Sequence, residues 1–329
     1  MSRSLRAQHD RFLLTHPFRI SRGVKTQADA VTVTLEAGGL TGRGEGVPYP
    51  RYGESVESAL TAIERIRADI EAGADRAALQ SLLPPGAARN AVDCALWDLE
   101  ARQSSRSVAE LIGAPEPLRL ASALTVVIDT PDAMAHAARA VSTSPLLKVK
   151  VDAQDPEAQL RAVRAAAPDC RLIVDPNESW DEALLREIEP LLVELRTDLL
   201  EQPVSATEDD WLEGFTPAVP ICADEAVHVA ADLDVIASRY QVVNVKLDKA
   251  GGLTAGLELA HATRARGLGL MTGCMVSSSL SIAAALHVAR MSDFVDLDGP
   301  IWLAEDRAGG VRDEGGMLLP PARGFWGRP

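Results

Sequence analysis

Charged residues recur in this chain directly after short apolar runs. "LLKVKVD" carries Lys148 and Lys150, "LIVDPNES" carries Asp175 and Asn177, and "LLEQP" carries Glu201. "ICADE" carries Asp224 and Glu225, "VNVKLD" carries Lys246 and Asp248, and "FVDLDGP" carries Asp296 and Asp298. Runs this short and this rich in Val, Ile and Leu read as buried strands. Residues two apart in a strand share a face, so Lys148 and Lys150 point one way and Leu147, Val149 and Val151 the other. Asp175, Glu201 and Asp224 would repel one another if they converged without a cation, and hard oxygen donors favour Mg²⁺. Glu225 is the weaker candidate, because adjacent residues of a strand point in opposite directions. The six histidines show no metal-ligand spacing.

Such a set suits proton transfer at carbon. A carboxylate held by the cation can lose its α-proton if the metal stabilises the resulting enediolate. The base must then be neutral, and an ammonium at Lys148 disfavours a second one at Lys150. If Lys150 serves one face of the carbon and Lys246 the other, the outcome is inversion, a 1,1-proton transfer.

The elements that would position these groups follow from the pattern. From about residue 119 the chain beats between short strands (ALTVVI, LLKVKV, RLIVD, DLLEQ, ICADE, VVNVKLD, LGLMTG and FVDLD) and helices that fill each gap. Two of these helices open with a cap residue followed by proline, Thr130-Pro131 and Asp155-Pro156. Eight strands and seven helices predict an α/β fold, a (β/α)7β modified TIM barrel whose site lies at the C-terminal strand ends. The competing doubly wound sheet usually shows a Gly-rich phosphate loop after its first strand, and none is present. In the barrel, strand 2 faces strand 6 and strand 8 faces strand 4. This sets Lys150 against Lys246 and the pair Asp296/Asp298 against the acids.

Residues 1–115 read as an α+β capping domain, 116–305 as the catalytic barrel, and 306–329 as a tail that returns to the cap. "AVTVTLEAG" alternates as a half-exposed antiparallel strand does. One helix is expected from Ser55 to Gly73, with Val56, Leu60, Ile63, Ile66 and Ile70 on its apolar stripe. A second is expected in "GAARNAVDCALWDLEARQ", with Val92, Ala95, Leu96 and Leu99 facing inward. Segments 15–26 and 48–55 read as loops over the barrel mouth.

Composition narrows the class. The 329 residues, 47% hydrophobic and 24% charged, describe a globular chain with ample core. A net charge of −14 argues against nucleic acid or an anionic membrane as partner. Cys94, Cys170, Cys222 and Cys274 form no CxxC pair and read as reduced thiols. With no signal core and no long apolar run, the expected location is the cytoplasm.

Through "LLKVKVD", "LIVDPNESW", "LEQP", "ICADEAVH", "VNVKLDKAGGLT", "GCMVSSS", "DLDGP", "PYPRYGES" and "GAARNAVDCALWDLEA", the chain resembles the enolase superfamily in its muconate-lactonizing-like branch. Within it, the chain more closely resembles dipeptide epimerases of the L-Ala-D/L-Glu type, which implies a part in recycling murein peptides. The resemblance runs from about residue 12 to residue 305. It implies one Mg²⁺ per subunit on Asp175, Glu201 and Asp224, with Lys150 and Lys246 as the acid/base pair. It also implies that Lys148, Asn177 and Asp248 support them, that Asp296 and Asp298 bind the α-ammonium of a dipeptide, and that the enzyme is a homo-oligomer. Where such epimerases use an arginine for the glutamate side chain, this chain aligns Lys25, with Arg22 and Arg19 nearby. Thr125, at the end of strand 1, is a further candidate contact. The same metal and lysines serve o-succinylbenzoate synthases, N-acylamino-acid racemases and cycloisomerases, whose substrates lack a free α-ammonium.

Overall fold

The computed structural model describes residues 3–328; residues 1, 2 and 329, at the ends of the expected domains, lie outside the described residues. Strand β1 (Arg3–Ile20) pairs with β2 (Gly23–Ala37) in a long antiparallel hairpin, and β3 (Leu40–Gly46) adds to the far side of β2. Segment 15–26, expected as a loop, is therefore the tip of a hairpin. Phe18 pairs with Lys25 and Ile20 with Gly23, after a register shift between Leu13 and Phe18. Gly23, at φ 145°, lets the chain reverse within two residues.

The expected helix from Ser55 divides into α1 (Val56–Arg65) and α2 (Arg67–Ala72). The chain tightens at Ile66, whose N–H bonds to Ile63 O at 3.2 Å, a 3₁₀-type contact. The apolar stripe survives the break, with Ile63, Ile66 and Ile70 all buried. After α3 (Arg76–Leu82) comes α4 (Ala87–Ser104), which lies along β3. Alternate residues of β3 are Gly42, Gly44 and Gly46, and a Cβ on any of them would fall within 2.6 Å of the α4 backbone. Only glycine allows so close an approach. A short α5 (Val108–Leu111) and β4 (Leu120–Ala121) lead into the barrel.

The barrel runs β5 (Leu124–Val126), α6 (Pro131–Ala140), β6 (Leu146–Lys150), α7 (Pro156–Ala166), β7 (Arg171–Asp175) and α8 (Glu182–Glu194). It continues with β8 (Leu199–Glu201), β9 (Ile221–Ala223), α9 (Leu233–Ile236), β10 (Val242–Val245), α10 (Leu247–Ala250) and α11 (Leu253–Ala265). It ends with β11 (Gly269–Gly273), α12 (Ser279–Ala289) and β12 (Phe294–Asp296). The eight parallel strands follow chain order, and Ala123 N bonds Val295 O at 2.8 Å to close the ring. One expected helix is missing. The β8–β9 connection holds only a 3₁₀ turn, Asp210–Leu212, in a stretch where Pro203, Gly214, Pro217 and Pro220 oppose a longer helix.

Past the barrel, β13 (Arg312–Asp313) and β14 (Met317–Leu319) pair with β4 in a small sheet. The chain then crosses to the cap, where Trp326 Nε1 donates to Arg43 O at 2.8 Å and Gly327 N to Asp98 Oδ1 at 2.8 Å. Cap and barrel also meet through buried polar contacts. Arg89 donates to Ala250 O at 2.7 Å, and Glu45 accepts from Ser278 N at 2.8 Å and from Arg307 Nη2 at 2.9 Å. All four cysteines are free thiols. Among the described residues, no helix is long and apolar enough to cross a membrane.

Candidate active site

Strand alternation builds the site in layers. Ala123, Leu146, Ile173, Leu199, Cys222, Val242 and Met271 form an apolar floor inside the barrel. Two residues further along the same strands come Lys148, Asp175, Glu201, Asp224 and Asn244, and a further step gives Lys150 and Lys246. None of these seven side chains belongs to a residue more than 7% exposed. Above them lies a cavity of about 530 Å³, the size of a small ligand. Lys148, Lys150, Asp224, Lys246, Asp296 and Asp298 line it from the barrel. Arg22, Lys25, Tyr49 and Tyr52 line it from the cap.

The charges form one interlocked network. Lys148 Nζ lies 3.0 Å from Asp175 Oδ2, 2.7 Å from Glu201 Oε2 and 2.8 Å from Asp296 Oδ2. Lys150 Nζ donates to Asp175 Oδ2 at 2.5 Å, and Lys246 Nζ donates to Asp224 Oδ2 at 2.7 Å. Burial works against each ammonium, but the carboxylates outweigh it. Asp296, Glu201 and Asp175 hold Lys148 well above the usual lysine range, and Asp224 does the same for Lys246. Burial likewise pushes Asp175 up, yet Lys150 and Lys148 bring it down to about 2. Glu201 goes the other way, up to about 6, through burial and the neighbouring Asp175. The expected part of Lys148 as a like-charge neighbour tuning Lys150 needs correction. Three carboxylates compensate its charge, so Lys148 is first the counter-ion of the acids.

Among the described residues, no three Asp, Glu, His or Cys side chains are gathered as a ready-made metal shell, because ammonium groups stand between the acids. The donor set nevertheless fits a hard divalent cation: Asp175, Glu201 and Asp224, three buried carboxylates on adjacent strands. Glu201 Oε2, though close to Lys148, has no hydrogen bond, and crowding by like charge already raises this group.

On the opposite wall, Asp298 Oδ2 accepts from Thr125 N at 2.8 Å and from Trp302 Nε1 at 3.3 Å. Thr125 thus holds Asp298 through its backbone N–H, and it lines the cavity. Burial and Asp296 push Asp298 up to about 6. Asp296 Oδ1 is buried without a hydrogen-bond partner beside the cavity. On the cap side, Lys25 Nζ sits 4.7 Å from the centre of the Tyr49 ring. Burial, with Arg22 and Lys246 nearby, holds Lys25 below the usual lysine range. Arg22 is already engaged, giving Nη2 to Glu225 Oε1 at 2.6 Å and Nη1 to Asn177 O at 2.9 Å. Arg19 is exposed and does not line the cavity. Asn177 lines the cavity, and its N–H donates to Asp175 Oδ1 at 2.9 Å.

Asp248 does not join the site. The strand ends at Val245 and α10 begins at Leu247, so the two-residue alternation stops. Its Oδ1 instead accepts from Val47 N at 2.7 Å and Asn90 Nδ2 at 2.8 Å, tying the barrel to the cap. For the same reason Glu225 escapes the expected outward direction: β9 stops at Ala223, and the Glu225 side chain is buried against Arg22. Lys249, which donates to Asp224 Oδ1 at 2.7 Å, was missed in the sequence. So was Gln202, whose Oε1 accepts from Asp224 N at 2.9 Å and Ala226 N at 3.1 Å.

Comparison with known proteins agrees with this architecture. Residues 3–113 match the mandelate racemase / muconate lactonizing enzyme N-terminal domain, and residues 132–325 the enolase C-terminal domain-like family. The chain belongs to this two-domain branch of the enolase superfamily. It is 47% identical over 306 residues to the L-Ala-D/L-Glu epimerase of Escherichia coli (strain K12), covering 92% of this chain and 95% of that one. It is 43% identical over 288 residues to the N-acetyl-D-glutamate racemase of Pseudoalteromonas sp, covering 87% and 91%. Among solved structures, it matches an enolase family member from Agrobacterium tumefaciens with homology to dipeptide epimerases, with bound sodium and L-Ala-L-Glu. That match has a TM-score of 0.97 at 46% identity, over 99% of this chain and 100% of the other. A dipeptide epimerase from Enterococcus faecalis V583, complexed with Mg and L-Leu-L-Tyr, is 27% identical with a TM-score of 0.91 over 99% of both chains.

Proposed function

We propose that this protein is a Mg²⁺-dependent dipeptide epimerase that inverts the α-carbon of the C-terminal residue, with L-Ala-L-Glu and L-Ala-D-Glu as substrates. The observation that carries the reading is one cavity lined by Lys150 and Lys246 together with Asp296 and Asp298, over the buried acids Asp175, Glu201 and Asp224. When bound to Asp175, Glu201 and Asp224, a divalent cation would draw off the negative charge that holds Lys246 as ammonium and neutralise charge on the substrate carboxylate. Everything else falls to the chain itself. One lysine takes the α-proton while the other returns a proton on the opposite face, and the roles exchange in the reverse direction. Asp296 and Asp298 receive the α-ammonium, and Lys25 the glutamate carboxylate. Residues 1–115 then serve specificity, residues 116–305 chemistry, and residues 306–329 tie the two together. The reading extends to a homo-oligomer in the cytoplasm, with one Mg²⁺ per subunit, acting on peptides released from murein.

A second reading keeps the chemistry and changes the acyl group: racemisation of N-acylated glutamate. The 43% identical racemase favours it, as does the engagement of Asp296 by Lys148. Incubation with Mg²⁺ in D₂O, with L-Ala-L-Glu and N-acetyl-L-glutamate in parallel, separates the two. α-Deuteration with inversion of the dipeptide alone supports the first reading, and of the N-acetyl compound alone the second. Exchange into neither removes both.

A further inference from the structure

We infer that Glu178 is a positioning residue: its single carboxylate latches both capping arms onto the strand end that carries Asp175. Two parts of the cap cover the cavity, the β1–β2 hairpin tip and the turn at Pro50–Tyr52. Each sends an arginine to the same barrel side chain. Arg51 donates through Nε to Glu178 Oε2 and through Nη2 to Oε1, both at 2.9 Å, a bidentate pair. Arg22 donates through Nη1 to Glu178 Oε2 at 3.1 Å. From the barrel, Ala206 N donates to Glu178 Oε1 at 3.0 Å. The carboxylate is only 8% exposed, which removes much of the screening that makes surface pairs weak.

The backbone around Glu178 connects this latch to the chemistry. Asn177 and Glu178 are consecutive non-glycine residues at positive φ, 49° and 64°. Asn177 N holds Asp175 Oδ1, while Asn177 O accepts from Ser21 Oγ at 3.1 Å and from Arg22 Nη1. Glu178 N donates to Gln202 O at 2.9 Å, the residue after Glu201. The arms therefore close on the segment that joins the ends of β7 and β8. Arg22 Nη2 also reaches Tyr49 OH at 3.4 Å, and Tyr49 is the ring beneath Lys25. Both arms line the cavity, and among the described residues Glu178 is the one acid that both arginines grip. Arg22 has a second hold in Glu225, whereas among the described residues Arg51 has no other ion pair.

This inference rests on the proposed reading only for its kinetic arm. Hydrogen exchange of the full chain without substrate, followed by mass spectrometry, tests the latch directly. Glu178→Gln is expected to speed exchange in residues 18–26 and 49–54 together. Arg51→Met is expected to speed it only in 49–54, because Arg22 keeps its bond to Glu178. With L-Ala-L-Glu, Glu178→Gln should raise KM roughly tenfold while kcat changes less than about threefold, the scale of one charged hydrogen-bond set. Calorimetric titration with Mg²⁺ alone should be unchanged. Wild-type exchange in both segments of Glu178→Gln would overturn the latch. So would lost Mg²⁺ affinity with lowered kcat and unchanged KM, which would make Glu178 a support of the metal side. A wild-type enzyme inert toward the dipeptide would sink the functional reading, and the exchange data would still decide the latch.

Discussion

Replacing Asp298 with Asn keeps the shape of the side chain and an oxygen for Thr125 N, and removes only the charge. Asp298 is 7% exposed, so an ammonium brought beside it pairs in a poorly screened place. Coulomb attraction at ~3 Å with an effective dielectric of ~20 is about 5 kcal/mol before desolvation is subtracted. Removing one member of a buried, hydrogen-bonded charge pair costs about 2–5 kcal/mol in practice. Asp296 remains, and although Lys148 holds its Oδ2, its Oδ1 is still without a partner, so the lower part of that range applies. The expected loss for L-Ala-L-Glu is roughly 30- to 150-fold in kcat/KM. Asp298 is also held up at about 6 by burial and Asp296. Below that pH it takes a proton and no longer holds an ammonium, so the wild-type KM for the dipeptide should rise about tenfold per pH unit. The variant should lose this acid limb. Steady-state kinetics from pH 5 to 8, with N-acetyl-L-glutamate as the comparison that lacks an ammonium, read both effects. Equal losses on both substrates, or an intact acid limb in the variant, would refute the reasoning.

Gly44→Ala would place a methyl 2.2 Å from Ala91 O, where neither backbone can yield. A loss of about 3 kcal/mol is expected in denaturant unfolding, and a wild-type midpoint would contradict the packing. His287, buried against Trp326, is pushed down to about 3 by burial and by Arg290 and Arg328. The folded state keeps this ring neutral while the unfolded chain takes up a proton below about 6.5. The stability is whole above that pH and falls by about 1.4 kcal/mol per unit as the pH drops toward 3. His287→Gln should therefore lose about 2 kcal/mol less than wild type between pH 6.5 and 5, measured by urea unfolding at the two values.

The barrel and its charged rim were legible because two regularities coincide in the sequence. Each strand is an apolar run, and each acid or base sits one or two steps beyond an inward-facing floor residue, as Leu146, Lys148 and Lys150 do. The errors fall where that alternation stops. Asp248 turns away because the chain becomes helical at Leu247, and Glu225 turns inward because β9 is already over. The hairpin tip at 15–26 reads as a loop because Pro17, Gly23 and several polar residues mask the pairing that β2 imposes. The bonds of Lys249, Gln202 and Glu178 join segments far apart in the chain, and no local pattern announces them. The glycines of β3 are visible as "TGRGEG", but their reason is the backbone of a helix some fifty residues on.

The central claim is that two lysines address opposite faces of one carbon. Lys150→Ala and Lys246→Ala, each given L-Ala-L-Glu and L-Ala-D-Glu in D₂O with Mg²⁺, test it most directly by α-deuteration. Each variant should fail to exchange the α-proton of one epimer, and the two should fail on opposite epimers. A variant that still exchanged both epimers would contradict the two-base account.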